Sequence, residues 1–340
     1  MTKSSSIWGS VDRLIDAAVS VRDLWAHGLH LLAARRWRAQ GREIPSELVA
    51  AERVAAFVTL AAPAVLAEAR RAYDGTIVVL KGPEIAARYP DPALRPYGDL
   101  DLLVADAEAA YAAFVAAGFV PVGPPPASGF HHVQPLQSPR FPLRVELHTR
   151  PSWVEGAEPP AFHELLEIAQ PAAVGADGIL APASAHHALL LAAHSWTHEP
   201  LGRISHLVDI ALMASECDRD DIDALAARWQ ATRLWQTTMA VIDLLLFGRD
   251  GRSGALPLRA RKLARVEERS VLESHLARAL APFWVLPPAR AAQTSAVALA
   301  RALRPAPGET WPRKAHRTLV TLRHMSMRRS EHERAIGYRP

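Results

Sequence analysis

The hydrophobic period of this 340-residue chain changes twice along its length, and that constrains the fold more than any single motif. Over 11–38 and 46–73, apolar residues rich in alanine recur at the spacing of an amphipathic helix. At Gly75 the pattern stops, and Thr76-Ile77-Val78-Val79-Leu80 has the β-branched composition of a short buried strand. Beyond Pro159 helical spacing returns. Strands confined to one window between helical stretches point to an α+β fold, with N-terminal helices and a C-terminal helical domain.

Within the window, Lys81-Gly82 ends the first strand, and Pro83 suits the first turn of a short helix over 83–89. Pro90, Pro92 and Pro96 mark an irregular connection. A strand is expected over 100–104, a helix over 107–117 closed by Gly118, and a strand over 119–122. The glycine- and proline-rich stretch 123–129 reads as a surface loop. Strands over 130–136 and 143–148 follow, joined as a hairpin about Ser138-Pro139-Arg140. Ser46 reads as the N-cap of the second N-terminal helix. Later helices are expected over 185–198, 203–215, 221–229, 234–247, 260–280 and 289–303, with breaks at Pro282, Pro287-Pro288 and Pro305. The chain thus divides into a helical segment 1–74, a core 75–158, a helical domain 159–250 and a helical, basic extension 251–340.

With 49% hydrophobic and 22% charged residues there is ample material for a buried core. Apolar runs such as 188–193 and 241–247 are too short to cross a bilayer, so no membrane span is expected. The first residues lack a secretory pattern, which suggests a cytoplasmic address. One cysteine, Cys217, excludes an internal disulfide and a cysteine-based zinc cage, so a metal here needs oxygen or imidazole ligands. The net charge of +4 is unevenly spread. Arg313, Lys314, Arg317, Arg323, Arg328, Arg329, Arg334 and Arg339 crowd the last stretch, suiting nucleic acid, a membrane surface or an anionic substrate, with a solvated helix and tail as the plainer reading.

The chemistry-bearing pattern is Asp99-Leu100-Asp101. In a strand the two carboxylates emerge on one face about 7 Å apart while Leu100 faces the other way. Arg144-Val145-Glu146-Leu147-His148 alternates in the same manner, and adjacent pairing of the two strands brings Glu146 to the aspartates. Three converging acids suit one or two Mg2+ or Mn2+ ions and in-line phosphoryl or nucleotidyl transfer. Upstream, Gly82 allows close backbone approach to a phosphate, and Lys81 and Arg95 supply positive charge. An Asp-x-Asp pair standing alone would more often be a solvated strand end.

The residues Leu80-Lys81-Gly82, Tyr89-Pro90, Arg95-Pro96-Tyr97-Gly98-Asp99-Leu100-Asp101-Leu102-Leu103-Val104, Gly118-Phe119, His131 or His132, and Val145-Glu146-Leu147-His148 form one constellation. It resembles the uncharacterised nucleotidyltransferase family of the polymerase-beta-like superfamily. The resemblance continues through His186-His187, His194, Arg203 and Asp209, and spans 75–248. It implies a mixed sheet flanked by helices, Asp99 and Asp101 as metal ligands, and Glu146 as the third acid, helping to deprotonate the acceptor. The superfamily's Gly-Ser phosphate-binding pair is replaced by Lys81-Gly82, where Lys81 supplies charge to the phosphates instead.

His187, His194 and His198 are spaced to share a helix face. They suit a zinc site, a polar seam where His194 and Arg203 meet phosphate or acceptor, or hydrogen-bonded packing between domains. Asp209, in an apolar helix, is expected to pair with an arginine such as Arg203. His148 shares a strand face with Glu146 and borders the acids, as do His131 and His132. Ser195 lacks the strained turn of a nucleophile. Trp284 and Trp311, beside prolines, read as packing anchors.

The leading expectation is a magnesium-dependent enzyme that moves a nucleoside monophosphate from a nucleoside triphosphate, such as ATP, to an unknown small-molecule, peptide or protein acceptor. An alternative is a catalytically silent module of the same fold that binds a nucleotide or a partner. An RNA-directed transferase is the third reading, motivated by the basic C-terminal stretch and little supported by an aromatic content of 6%.

Overall fold

In the computed structural model the described residues are 3–123, 131–197, 200–249, 256–306 and 308–335; the loop expected after Gly123 and His198 lie outside them. The N-terminal helices are α1 (Lys3–Ala17), α2 (Val21–Ala26), α3 (His30–Ala39) and α4 (Ser46–Ala72). The helical stretch expected over 11–38 is therefore interrupted twice. Ser20 caps α2, its side chain accepting from the Asp23 N–H, and Gly28 takes a φ of +69° before α3. The N-cap of α4 is Pro45 rather than Ser46, and no side chain caps it. Among the described helices, α4 alone is long and apolar enough to cross a membrane by length and composition. It instead lays Val58, Ala62, Val65, Leu66 and Ala69 against the sheet.

The strand window begins with β1 (Ile77–Val79), α5 (Pro83–Ala86), a 3-10 turn (Pro92–Leu94) and β2 (Asp99–Val104). It continues with α6 (Ala107–Ala116), β3 (Val120–Pro121), β4 (Leu136–Gln137) and β5 (Arg144–His148), then α7 (Phe162–Glu167), β6 (Gln170–Pro171) and β7 (Ile179–Ala181). The sheet order is β3-β4-β5-β2-β1-β7-β6. It is mixed: β2 runs parallel to β5 and β1 to β7, while the other pairs are antiparallel. The β4–β5 hairpin turns about Ser138-Pro139-Arg140, as expected. The strand expected over 130–136 is shorter, because Pro135 has no N–H for a ladder; His132 keeps an isolated bridge to His148. β6 and β7 fall in the span read as helical. Pro171 and the positive-φ glycines Gly175 and Gly178 interrupt the alternation that would have revealed them.

Helices α8 (Ser184–Thr197), α9 (Ile204–Ser215), α10 (Arg219–Arg228) and α11 (Thr232–Phe247) follow, then α12 (Leu256–Ala264), α13 (Val271–Val285), α14 (Pro288–Leu303), α15 (Trp311–Arg323) and α16 (Arg329–Ala335). The helix expected over 260–280 is split between α12 and α13. Val266 turns to a φ of +52°, and Ser270 with Glu273 forms the capping box that starts α13. α13 runs on through Pro282, where a break was expected, since a proline in the last turn forfeits only one late backbone bond.

The sheet separates two cores. Ile77, Val79, Leu100, Leu102, Val104, Val145 and Leu147 face α4 and α6, where Phe114 is fully buried and contributes roughly 1.5–3 kcal/mol by its removal from water. Val78, Leu80 and Leu103 face the helical core built around Leu189, Ile210, Trp235 and Ile242. Trp284 packs against that core, edge-on to Trp196, whereas Trp311 is largely exposed. Because Leu100 and Leu102 take one face of β2, Asp99 and Asp101 are left on the face that looks toward the helices.

Candidate metal and nucleotide site

The parallel register of β2 and β5 sets Asp101 opposite Glu146 and Leu103 opposite His148. Alternation then sends Asp99, Asp101, Glu146 and His148 out of one face, and all four line a cavity of about 1020 Å³ between the sheet and the helices. Asp101, Glu146 and His148 each offer one ligand atom, and these atoms lie within 4.8 Å of one another. The tightest group is therefore two carboxylates and an imidazole, with Asp99 two residues back on the same strand face rather than inside it. Two hard oxygens with one borderline nitrogen fit a divalent cation, Mn2+ at least as well as Mg2+.

Asp101 is almost completely buried and is held from two sides. His148 Nε2 donates to Oδ1 at 3.0 Å, and the Lys81 ammonium lies 3.1 Å from Oδ2. Burial alone would raise its carboxyl pKa, but the Lys81 charge and the His148 hydrogen bond hold it well below the usual carboxylate range. Asp99 behaves oppositely. Burial, with the negative charge of Asp101 beside it, pushes its carboxyl up to about 6 despite Lys81. His148 Nε2 also approaches Glu146 Oε2 at 3.8 Å, and the His131 ring stacks on His148 at 5.2 Å between centroids. His132 lies 4.0 Å from Glu146, so both histidines that the sequence places near the acids are there.

The turn after β1 brings Lys81 to the acids. Gly82 adopts a φ of +67°, and a Cβ there would come within 3.3 Å of the Asp99 carbonyl, so only glycine fits without strain. Its carbonyl accepts from Arg95 Nη1 at 3.4 Å. The rest of the Arg95 guanidinium is committed elsewhere: Nη2 donates to Asp209 at 2.8 Å, Nε to both carboxylate oxygens at 3.1 Å, and Tyr89 Oη donates to Asp209 at 2.8 Å. Asp209 does pair with an arginine, but with Arg95 and not with Arg203, the partner the sequence suggested. α9 turns Asp209 inward, whereas Arg203 sits at its N-cap and donates to the Ala26 carbonyl at 3.4 Å.

Of the residues expected to meet phosphate, Lys81, Gly82, Arg95, His148, His194 and Arg203 all line the same cavity. His194 Nε2 lies 3.3 Å from Lys81 Nζ. His187 does not join them: it is fully buried and its Nε2 donates to the Leu80 carbonyl, which leaves no shared histidine face for zinc among the described residues. Ser195 is buried too, its hydroxyl spent on the Ala192 carbonyl.

Sequence reasoning missed a further part of the cavity wall. Arg22 of α2, Arg269, Arg278 of α13 and Arg329 of α16 all line it, so residues far apart in the chain close over the acids. The basic C-terminal stretch was a signal for Arg329 alone, and none pointed to Arg22, Arg269 or Arg278. α16 is tied down by Arg22, which pairs with Glu268 and Glu331, and by Ser330, which donates to Glu268.

Against this geometry, the model of a family described as uncharacterised nucleotidyltransferase matches residues 21–247, two thirds of the chain. It covers every strand, the acids and α8 to α11, and stops before α12. No curated protein matches the chain.

Proposed function

Since the chain belongs to the uncharacterised nucleotidyltransferase family, we propose that it transfers a nucleoside monophosphate from a nucleoside triphosphate to an acceptor, in the cytoplasm. The observation that carries this reading is the pairing of Asp101 with Glu146 across two parallel strands, on the face that opens into a large cavity. A divalent cation, Mg2+ or Mn2+, would be held by Asp101 and Glu146 with Asp99 or His148, and when bound would neutralise phosphate charge and polarise the reacting phosphorus.

The chain's own groups do the rest. Lys81 offers its ammonium to the triphosphate, and His194 stands beside it. Gly82 keeps the backbone close enough for a phosphate to approach. His148 fixes the Asp101 carboxylate. Glu146, more accessible than Asp101, takes the proton of the acceptor hydroxyl as its oxygen bonds to the α-phosphorus; the bond to the β-phosphate breaks and pyrophosphate leaves. Arg95 acts as a positioning residue through the Gly82 carbonyl, since its charge is satisfied by Asp209.

The test is Asp101→Asn, which keeps the shape of the side chain and removes the charge. Pyrophosphate release should fall by at least about a thousandfold with an unchanged circular dichroism spectrum. Retained full turnover would refute the mechanism. One observation favours a second reading, a nucleotide-binding module without chemistry: Lys81 already balances the charge of Asp101, and His148 already donates to it. Calorimetric titration of each nucleoside triphosphate with Mg2+, followed by a pyrophosphate assay, separates the two. Tight binding with no release supports the module.

A further inference from the structure

The arginines of the cavity fall into two groups. Arg22 is paired with Glu268 and Glu331, Arg95 with Asp209, and Arg329 with Glu333. Arg203, Arg269 and Arg278 form no ion pair among the described residues and meet only carbonyls. Arg203 reaches Ala26 O at 3.4 Å, Arg269 reaches Pro200 O at 2.8 Å and also Leu201 O, and Arg278 reaches Ser274 O of its own helix at 3.4 Å. The Nε of Arg269 is buried and has no hydrogen-bond partner. Arg203 stands at the N-terminus of the twelve-residue α9, whose dipole adds to the positive potential.

A guanidinium does not shed its charge in a protein, and these three, Arg269 half-buried and Arg203 and Arg278 exposed, line one cavity with no carboxylate in ion-pair contact among the described residues, leaving donors that an anion would engage. The charges nearby are mixed, with Arg203 acting on His30 and Glu273 on Arg269. Burial lowers the pKa of Arg203, and of Arg269 to about 10; burial, with the charge of Arg203, holds His30 at about 4.

We infer that Arg203, Arg269 and Arg278 form a subsite for a phosphate group carried by the acceptor, an inference that rests on the transferase reading. A phosphate rather than a carboxylate matches three cations, since it brings close to two negative charges and three acceptor oxygens. Two observations assign it to the acceptor rather than to the nucleotide. The triphosphate is already served by Lys81 and by the metal at the acids. Arg269 and Arg278 also lie beyond the family-matched span 21–247 that holds those groups. The cavity, at about 1020 Å³, sits at the top of the range that holds one small ligand and has room for two.

The experiment is calorimetric titration of the full chain with inorganic phosphate at low ionic strength, alone and with a saturating non-hydrolysable nucleoside triphosphate and Mg2+. One phosphate should bind in both conditions. Arg278→Gln, an exposed side chain bonded only to its own helix, should weaken phosphate about tenfold or more while leaving the nucleotide dissociation constant within about twofold. Loss of phosphate binding when nucleotide is present, equal weakening of nucleotide and phosphate by Arg278→Gln, or no phosphate binding at millimolar concentration would each overturn the assignment. Phosphate binding needs no turnover. Its failure would leave the transferase reading standing, and failure of the pyrophosphate assay would leave the phosphate result standing.

Discussion

Replacing Asp209 with asparagine removes one charge from the most completely buried ion pair beside the site and changes almost nothing in volume. Arg95 and Asp209 are 9% and 2% exposed, and three donor contacts of 2.8 to 3.1 Å join them. With Asp209 neutral, the Arg95 charge keeps only hydrogen bonds to an amide and to the Gly82 carbonyl. Breaking one side of a buried pair costs about 3–5 kcal/mol, because the charge left behind is not rehydrated. Tyr89 can still donate to the amide oxygen, which places Asp209→Asn near 3 kcal/mol. At about 2 °C per kcal/mol for a chain this large, the melting temperature should fall by about 6 °C or more. Urea denaturation followed by far-ultraviolet circular dichroism, with an unchanged m-value, measures the loss directly. The double variant Arg95→Met with Asp209→Leu, which removes both charges, should recover much of it. A cost for Asp209→Asn below about 1 kcal/mol would refute the claim that Arg95 depends on Asp209 for its charge balance.

Acid should destabilise the protein well above the carboxylate range. Burial holds His187 and His30 near 4, below their ordinary 6.5, so the unfolded chain takes up protons first; their stability contribution is complete above 6.5 and is lost as pH falls toward 4, about 3 kcal/mol for each. Urea midpoints should drop between pH 7 and 4.5, and His187→Gln should flatten that slope; an identical slope in the variant would contradict it. Gly82→Ala places a Cβ in a positive-φ position against the Asp99 carbonyl, so it should cost about 1–3 kcal/mol and weaken nucleotide binding through Lys81. A melting temperature equal to that of the unaltered protein would show that the turn is not strained.

The acid half of the site is legible in the sequence because it is written in strand alternation. Leu100 and Leu102 against Val145 and Leu147 state which face is core, and Asp99, Asp101, Glu146 and His148 follow on the other face. What alternation does not state is rank within the cluster: that His148 and Lys81 hold Asp101, and that Asp99 stands outside the closest group, depends on side-chain reach. Arg95 and Arg203 show the same limit. Both are basic and near the site in sequence, yet the inward turn of α9 gives Asp209 to one and leaves the other without a carboxylate. β6 and β7 escape notice because they are two and three residues long, with a proline in one and glycines between them. Arg269 and Arg278 escape because they reach the cavity only through long-range packing of α13, which no local pattern encodes.

The placement of the arginine wall also sets an order in time. On the ribosome, β1, β2 and β5 emerge while Arg269, Arg278 and Arg329 are still unmade, and at about 5–20 residues per second the delay from Asp101 to Arg329 is on the order of ten to fifty seconds. Through that interval the cavity lacks the part of its lining that Arg269, Arg278 and Arg329 supply. The complete lining of the cavity is therefore assembled only once the last helices have been made.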